Sequence, residues 1–251
     1  MSNSLDALHT SVARLRSVVE GLDESQLTSP AYPTEWSIAQ VLSHLGSGAV
    51  IMKQSVNNGV TNKETPPDFN SSVWEVWNAK APKEQANDVL VADQTLMATL
   101  DGLTDEQRAS FRSAIGPMSL DFDGTMRMRL SEHALHLWDV EVVLDPSAVL
   151  VPDAVPHLID NLGMIASFAG KPTGAEQSIS VRTSDPVRHI TIEIGKESVT
   201  LDPASSTVSP NLELPAEALV RLVYGRLDTA HTPLIKNDTE LPVLRSTFRG
   251  F

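Results

Sequence analysis

The residues best suited to chemistry lie in one run, "RLSEHALHLWDV", from Arg129 to Val140. At about 100° per helical residue, Glu132, His136 and Asp139 share one narrow stripe, with His133 turned roughly a quarter of the circle away. Glu132 and His136 stand at i and i+4, so a helix brings both heads to one point, as in helical two-ligand metal motifs. The same stripe is compatible with water, in which case Thr125, Arg129, Glu132, His136 and Asp139 are solvated neighbours on a surface helix. Two features favour an inward stripe. Met126, Leu130, Leu135, Trp138, Val142 and other apolar residues occupy much of the circumference, and Arg127 and Glu141 fall opposite the stripe, where they can supply the solvated face.

A helical pair is half of a site, and a third ligand must come from another helix. His44, beside the apolar seam of Ile38, Val41, Leu42 and Leu45, is the natural candidate, although a lone seam-side histidine is more often a hydrogen-bonded structural residue. Three protein ligands leave a coordination position open for water or substrate, the mark of a catalytic site. With no cysteine, the chain has no disulfide, no cysteine-based zinc knuckle and no thiol nucleophile of its own. Ligands must therefore come from the seven histidines and the carboxylates, a donor set suited to zinc or another divalent metal. Asp139, one turn beyond His136, is placed either to accept a hydrogen bond from that ring or to act as a solvated or capping residue. His133 reads as a packing or surface residue, and His9, His157, His189 and His231 as ordinary surface residues.

These groups need helices to position them. Leu5, Leu8, Val12, Leu15, Val19 and Leu22 mark a first amphipathic helix that Gly21 can stop. After the loop "TSPAYPTEW", Ser37 and Gln40 form a capping box for a second helix carrying His44. "WEVWNA" reads as a short helical turn, and Pro82 starts a long helix to about Leu100. The fourth long helix holds the opening run, and four such helices predict an antiparallel bundle with inward-facing metal ligands. From Asp153 to about Phe168 the pattern predicts one further helix. "QSISVRT", "HITIEI" and "SVTLDP" then alternate as three strands, followed by a helix from Pro215 through "AEALVRLVYGR" and a short one in "ELPVLRSTF". The expected architecture is an α+β two-domain chain, with a helical domain over 1–150 and a small α/β domain over 151–251.

Thirty-two acidic residues against nineteen basic ones give a net charge of −13, which argues against nucleic acid as a partner. The N-terminus "MSNSLDALHT" lacks the layout of a signal peptide, and the chain has no run of about 18 apolar residues, so a cytoplasmic protein without a membrane partner is expected.

"TEWSIAQVLSHL", followed much later by "MRMRLSEHALHLWDV", resembles the mycothiol-dependent maleylpyruvate isomerase family, whose N-terminal domain is a DinB-like four-helix bundle. The resemblance implies His44, Glu132 and His136 as the metal ligands, the same triad that the helical geometry proposes. It extends to "LELPAEALVRLVYGR", which looks like the end of the small, sterol-carrier-like α/β domain of these proteins. It also implies arginines that orient an anionic substrate or the thiol cofactor. Arg226 in "YGR" is the best match for both the catalytic and the cofactor-binding role, while Lys80 and Lys83 are the basic residues available around the third helix.

The implied cofactors are a divalent metal, zinc in the first instance, and mycothiol. A thiol activated by the metal and held between the two domains would add to a small electrophile. Release of the thiol after bond rotation would make the protein an isomerase, and departure of the intact adduct a thiol S-transferase. The same triad with water as nucleophile would make a metal-dependent hydrolase. A structural metal beside a ligand-binding C-terminal domain would need no catalysis.

Overall fold

The computed structural model describes residues 3–61, 63–115, 118–174, 176–204, 209–235 and 237–250. The chain divides into two compact units, Met1–Ala148 and Val149–Phe251.

In the first unit the long helices are α1 (Ser4–Val19), α3 (Ile38–Thr61), α5 (Pro82–Asp101) and α7 (Phe122–Glu141). α1 packs on α7, α3 on α5, and α3 on α7, which makes the four-helix bundle. Local chemistry sets the helix starts. Ser37 Oγ accepts from the Gln40 amide at 3.2 Å while Gln40 Oε1 accepts from the Ser37 amide at 2.8 Å, the reciprocal box that starts α3. Pro82 opens α5, where its missing N–H costs no helical bond. Leu8, Leu15, Leu42, Leu45, Leu100, Leu130 and Trp138 are fully buried between the helices.

Shorter elements join them: α2 (Glu24–Thr28), α4 (Phe69–Asn78), α6 (Asp105–Ser110), and a hairpin of β1 (Ser113–Ile115) with β2 (Met118–Leu120). The turn expected at "WEVWNA" is thus the end of a ten-residue helix. α4 lies on α3 through Trp77, whose indole rests where the side chain of residue 46 would stand. A Cβ on Gly46 would sit 2.1 Å from Trp77 Cη2.

The second unit is a four-stranded sheet, ordered β5-β4-β3-β6, with helices packed on it. Its strands are β3 (Gln177–Ser184), β4 (His189–Ile194), β5 (Val199–Pro203) and β6 (Leu212–Pro215). Ile179 pairs with Ile192, and Ile192 with Leu201, so the period-two alternation buries one face. β6 runs parallel to β3. The sequence pattern had placed no strand there, since Leu212 and Leu214 are too short an alternation to stand out.

The helix expected over 153–168 is two, α8 (Val155–Ile159) and α9 (Leu162–Ala169). The break falls at Asp160 and Asn161, residue types that favour helix ends, and the Asp160 carboxylate is bound by Arg188 at 2.6 and 2.8 Å. α9 packs on β5, and α10 (Ala216–Val223) on β3 and β6. The last element is α11 (Leu241–Thr247).

Candidate metal centre

Most of α7 is enclosed, with Thr125, Arg129, His133 and Asp139 buried along with its apolar residues. Between Thr125 and Val140 its one exposed residue is Glu132. The polar stripe therefore faces inward, and Glu132 emerges where α3 and α7 meet.

His44 from α3 meets Glu132 and His136 there. His44 Nε2 donates to Glu132 Oε2 at 3.1 Å, and His136 Nε2 lies 3.7 Å from the same oxygen. One ligand atom from each of the three residues lies within 4.8 Å of the others. Ligands about 2.0–2.2 Å from a tetrahedral zinc stand roughly 3.4 Å apart, so this donor set fits a zinc-sized ion with little movement. The His136 ring is fixed from behind, because its Nδ1 donates to Asp139 Oδ2 at 2.8 Å and Asp139 is wholly buried. That bond orients the ring and directs Nε2 toward Glu132. Of the two roles open to Asp139 in the sequence, the structure selects hydrogen-bond acceptor for the His136 ring.

Trp36 forms a wall. Its ring is stacked 6.1 Å from that of His136 and tilted 5.4 Å from that of His44. The preceding loop holds it there. Ala31 N donates to Trp36 O at 2.9 Å, and Tyr32 N to Asp139 O on α7 at 3.0 Å. The site stays open to solvent, with the His44 and Glu132 side chains 38% and 48% exposed.

Desolvation opposes ionisation of Glu132. The hydrogen bond from His44, with the charges of His136, His44 and Arg129, outweighs it and holds the carboxyl below its ordinary pKa. Glu132 is accordingly an anion across the neutral range.

Behind the triad lies a second polar group that sequence reasoning did not assemble. His133 is fully buried, with Nε2 3.2 Å from Asp93 Oδ2 and Nδ1 2.8 Å from Ser11 Oγ. Arg129 Nη2 donates to Asp93 Oδ1 at 3.0 Å and to Leu45 O at 2.9 Å. The available signal was Asp93 itself, a carboxylate on the buried seam of α5 with Val89, Leu96 and Leu100. Burial raises its pKa, but His133 and Arg129 more than offset this and hold it below the ordinary value.

Arg226 lies in the second unit, half-buried in the loop after α10, with Nη1 donating to Tyr224 O at 3.1 Å. Arginines hold the loop from two helices. Arg221, paired with Glu217 at 2.7 and 2.9 Å, donates to His231 O at 2.9 Å, and Arg245 donates to Leu227 O at 2.7 Å. Lys80, around the third bundle helix, is engaged by Asp88 at 2.6 Å and lies over the Trp77 ring, whereas Lys83 is exposed. The C-terminal unit also has a cleft of about 350 Å³ between α9 and β4–β5, bordered by the Asp160–Arg188 pair. Among the described residues no helix is long and apolar enough to cross a membrane.

Two solved structures share the fold. One is described as the mycothiol-dependent maleylpyruvate isomerase, with 14% identity, a TM-score of 0.65, and coverage of 94% of this chain and 100% of that one. The other is a histidine-to-alanine mutant of the mycothiol-dependent maleylpyruvate isomerase, with 13% identity, a TM-score of 0.64, and coverage of 90% and 92%. No curated protein sequence matches the chain. The family model described as "Mycothiol maleylpyruvate isomerase N-terminal domain" matches residues 8–141, more than half of the 251 residues, and the chain belongs to that family.

Proposed function

We propose that the protein is a metal-dependent enzyme of the cytoplasm that uses mycothiol to attack a small electrophile, as a thiol S-transferase or a cis/trans isomerase. The observation that carries this reading is the open donor set of two imidazoles and one carboxylate, facing solvent and flanked by Trp36. His44, Glu132 and His136 would hold the ion, with zinc the best fit to the donors. A divalent ion there supplies Lewis acidity that makes a bound thiol a thiolate at neutral pH.

The residues of the chain supply the rest. Asp139 keeps the His136 Nε2 lone pair aimed at the site, and Trp36 shields one side from water. Arg226, on its braced loop, orients the anionic part of the thiol or the substrate. The thiol sulfur, having given its proton to solvent, forms a C–S bond to one carbon of an activated double bond, whose π electrons move onto the activating carbonyl. In an isomerase the resulting single bond rotates, the C–S bond breaks, and the double bond and thiolate are regenerated. In a transferase the adduct takes up a proton and leaves with its C–S bond intact.

The test is metal content of the wild type beside His44→Ala and His136→Ala, with mycothiol titrated into the cobalt-substituted protein. One ion per chain, lost in both variants, and a sulfur-to-cobalt charge-transfer band are expected. An ion without that band, or turnover that needs no thiol, refutes the thiol reading and favours water as the nucleophile. Ligand binding that survives Glu132→Ala beside a coordinatively closed metal favours a structural ion.

A further inference from the structure

The buried group behind the triad is placed to do more than hold the bundle together. Arg129 and His133 bracket Glu132 on α7, and Leu45 directly follows His44 on α3. The bond from Arg129 Nη2 to Leu45 O, at 2.9 Å, therefore links the two ligand-bearing helices at their ligand-bearing turns. Asp93 on α5 fixes the other side of the guanidinium at 3.0 Å, and His133, itself held by Ser11 on α1, fixes Asp93. All four long helices meet in this one chain of contacts. α3 is shaped to receive it, since a Cβ on Gly48 would stand 2.9 Å from Arg129 Nη1.

Stability alone is a poor reason to keep such a group. Arg129 is 4% exposed, and its Nε is buried with no hydrogen-bond partner among the described residues. A buried ion pair is commonly matched or bettered in stability by apolar side chains of similar volume. What apolar packing cannot supply is a directional tie between one carbonyl of α3 and one carboxylate of α5. We propose that Arg129, oriented by Asp93, is a positioning residue that sets the spacing and rotation of α3 against α7, and so the approach of His44 to Glu132 and His136. This rests on the reading of the triad as a metal site.

The sign of the effect separates positioning from charge. Removing a cation near a site for a divalent cation should tighten metal binding by Coulomb's law. Loss of the tie should weaken it, as changes behind metal ligands do, by about 10–100-fold. The experiment measures zinc affinity of the full chain by competition with a chromophoric chelator, and the cobalt d–d spectrum, for wild type, Arg129→Met, Arg129→Lys and Leu100→Ala. Leu100 is a fully buried α5 residue outside the network and serves as a stability control.

Arg129→Met is expected to raise the zinc dissociation constant at least tenfold and to change the cobalt band shape. Leu100→Ala should lower the urea midpoint and leave the dissociation constant within twofold. Arg129→Lys keeps the charge but loses the planar fork that reaches two acceptors, and should fall between them. If Arg129→Met does not fold, a several-fold loss in Arg129→Lys supports the proposal and an unchanged affinity overturns it. Folded Arg129→Met that binds zinc as tightly as wild type, or more tightly, also overturns it while the triad stands. Wild type that takes up no stoichiometric zinc overturns the triad reading and this proposal together.

Discussion

Gly46→Ala sets two well-known effects against each other. In a solvated helix the change stabilises by about 0.8–1.0 kcal/mol, because alanine restricts the unfolded chain and favours helix. At position 46 the new methyl would stand 2.1 Å from Trp77 Cη2, 2.3 Å from Cζ3 and 2.9 Å from Cζ2, inside van der Waals contact for all three atoms. Trp77 is 5% exposed on α4, so the ring has no free direction in which to retreat. Either the helices part, at the roughly 1–3 kcal/mol typical of overpacking, or the indole leaves its seat, at up to the ~3–5 kcal/mol of a lost buried tryptophan. After subtracting the propensity gain, the two routes leave about 0–2 and about 2–4 kcal/mol, so Gly46→Ala should destabilise the protein by about 2 kcal/mol, where the ranges meet. Urea unfolding followed by far-UV circular dichroism measures this. The companion pair, Trp77→Leu alone and with Gly46→Ala, should show that alanine costs nothing once the ring is gone, a coupling above about 1 kcal/mol. A Gly46→Ala protein as stable as wild type, or more stable, refutes the close packing of α4 on α3.

Asp139→Ala should weaken zinc binding by about 10–100-fold, because His136 loses the acceptor at 2.8 Å that orients its ring; chelator competition reads the change. Asp93→Asn leaves a buried guanidinium without its counter-charge and should cost about 3–5 kcal/mol near neutrality. Since Asp93 has a lowered folded pKa, its contribution is complete above the ordinary value of 3.8 and is lost as pH falls through the folded pKa. The stability gap between wild type and Asp93→Asn should therefore close only below about pH 4. Glu141 behaves oppositely: burial raises its pKa against the pull of Arg14, whose guanidinium meets it at 2.6 and 2.7 Å. Arg14→Met removes that counter-charge and should raise the Glu141 pKa further. Stability of the variant should then fall as pH rises from the ordinary 4.5 through the new folded pKa, seen as urea midpoints that decline across that range more steeply than in wild type.

Local rules carried the sequence reading a long way. The Ser37–Gln40 box and Pro82 announced the starts of α3 and α5, and both are seen in the structure. The four-residue spacing of Glu132 and His136, with a histidine beside the seam of another helix, was enough to nominate three residues that the fold brings together. What escaped depends on partners distant in sequence. His133 looked like a packing or surface residue and Arg129 like one more member of the polar stripe, because their counter-charge, Asp93, comes from another helix, 40 and 36 residues away. β6 has two apolar residues and becomes a strand only by pairing with β3, and the split between α8 and α9 falls where Arg188, in the loop before β4, takes the Asp160 side chain. Periodicity reports what an element buries, but not what it is tied to.

The exposure of His44 and Glu132 has a consequence for supply rather than for bonding. An ion enclosed by protein leaves only when the fold opens, whereas one held at the mouth of two helices can be approached directly by an incoming ligand. Exchange should then run through ligand-assisted steps, without unfolding. On the reading of the triad as a metal site, two imidazoles and one carboxylate would rank divalent ions by their intrinsic affinities, not by cavity size. Which metal fills the site would follow the concentrations of free ions around the protein, so its composition after purification would record the growth medium as much as the sequence.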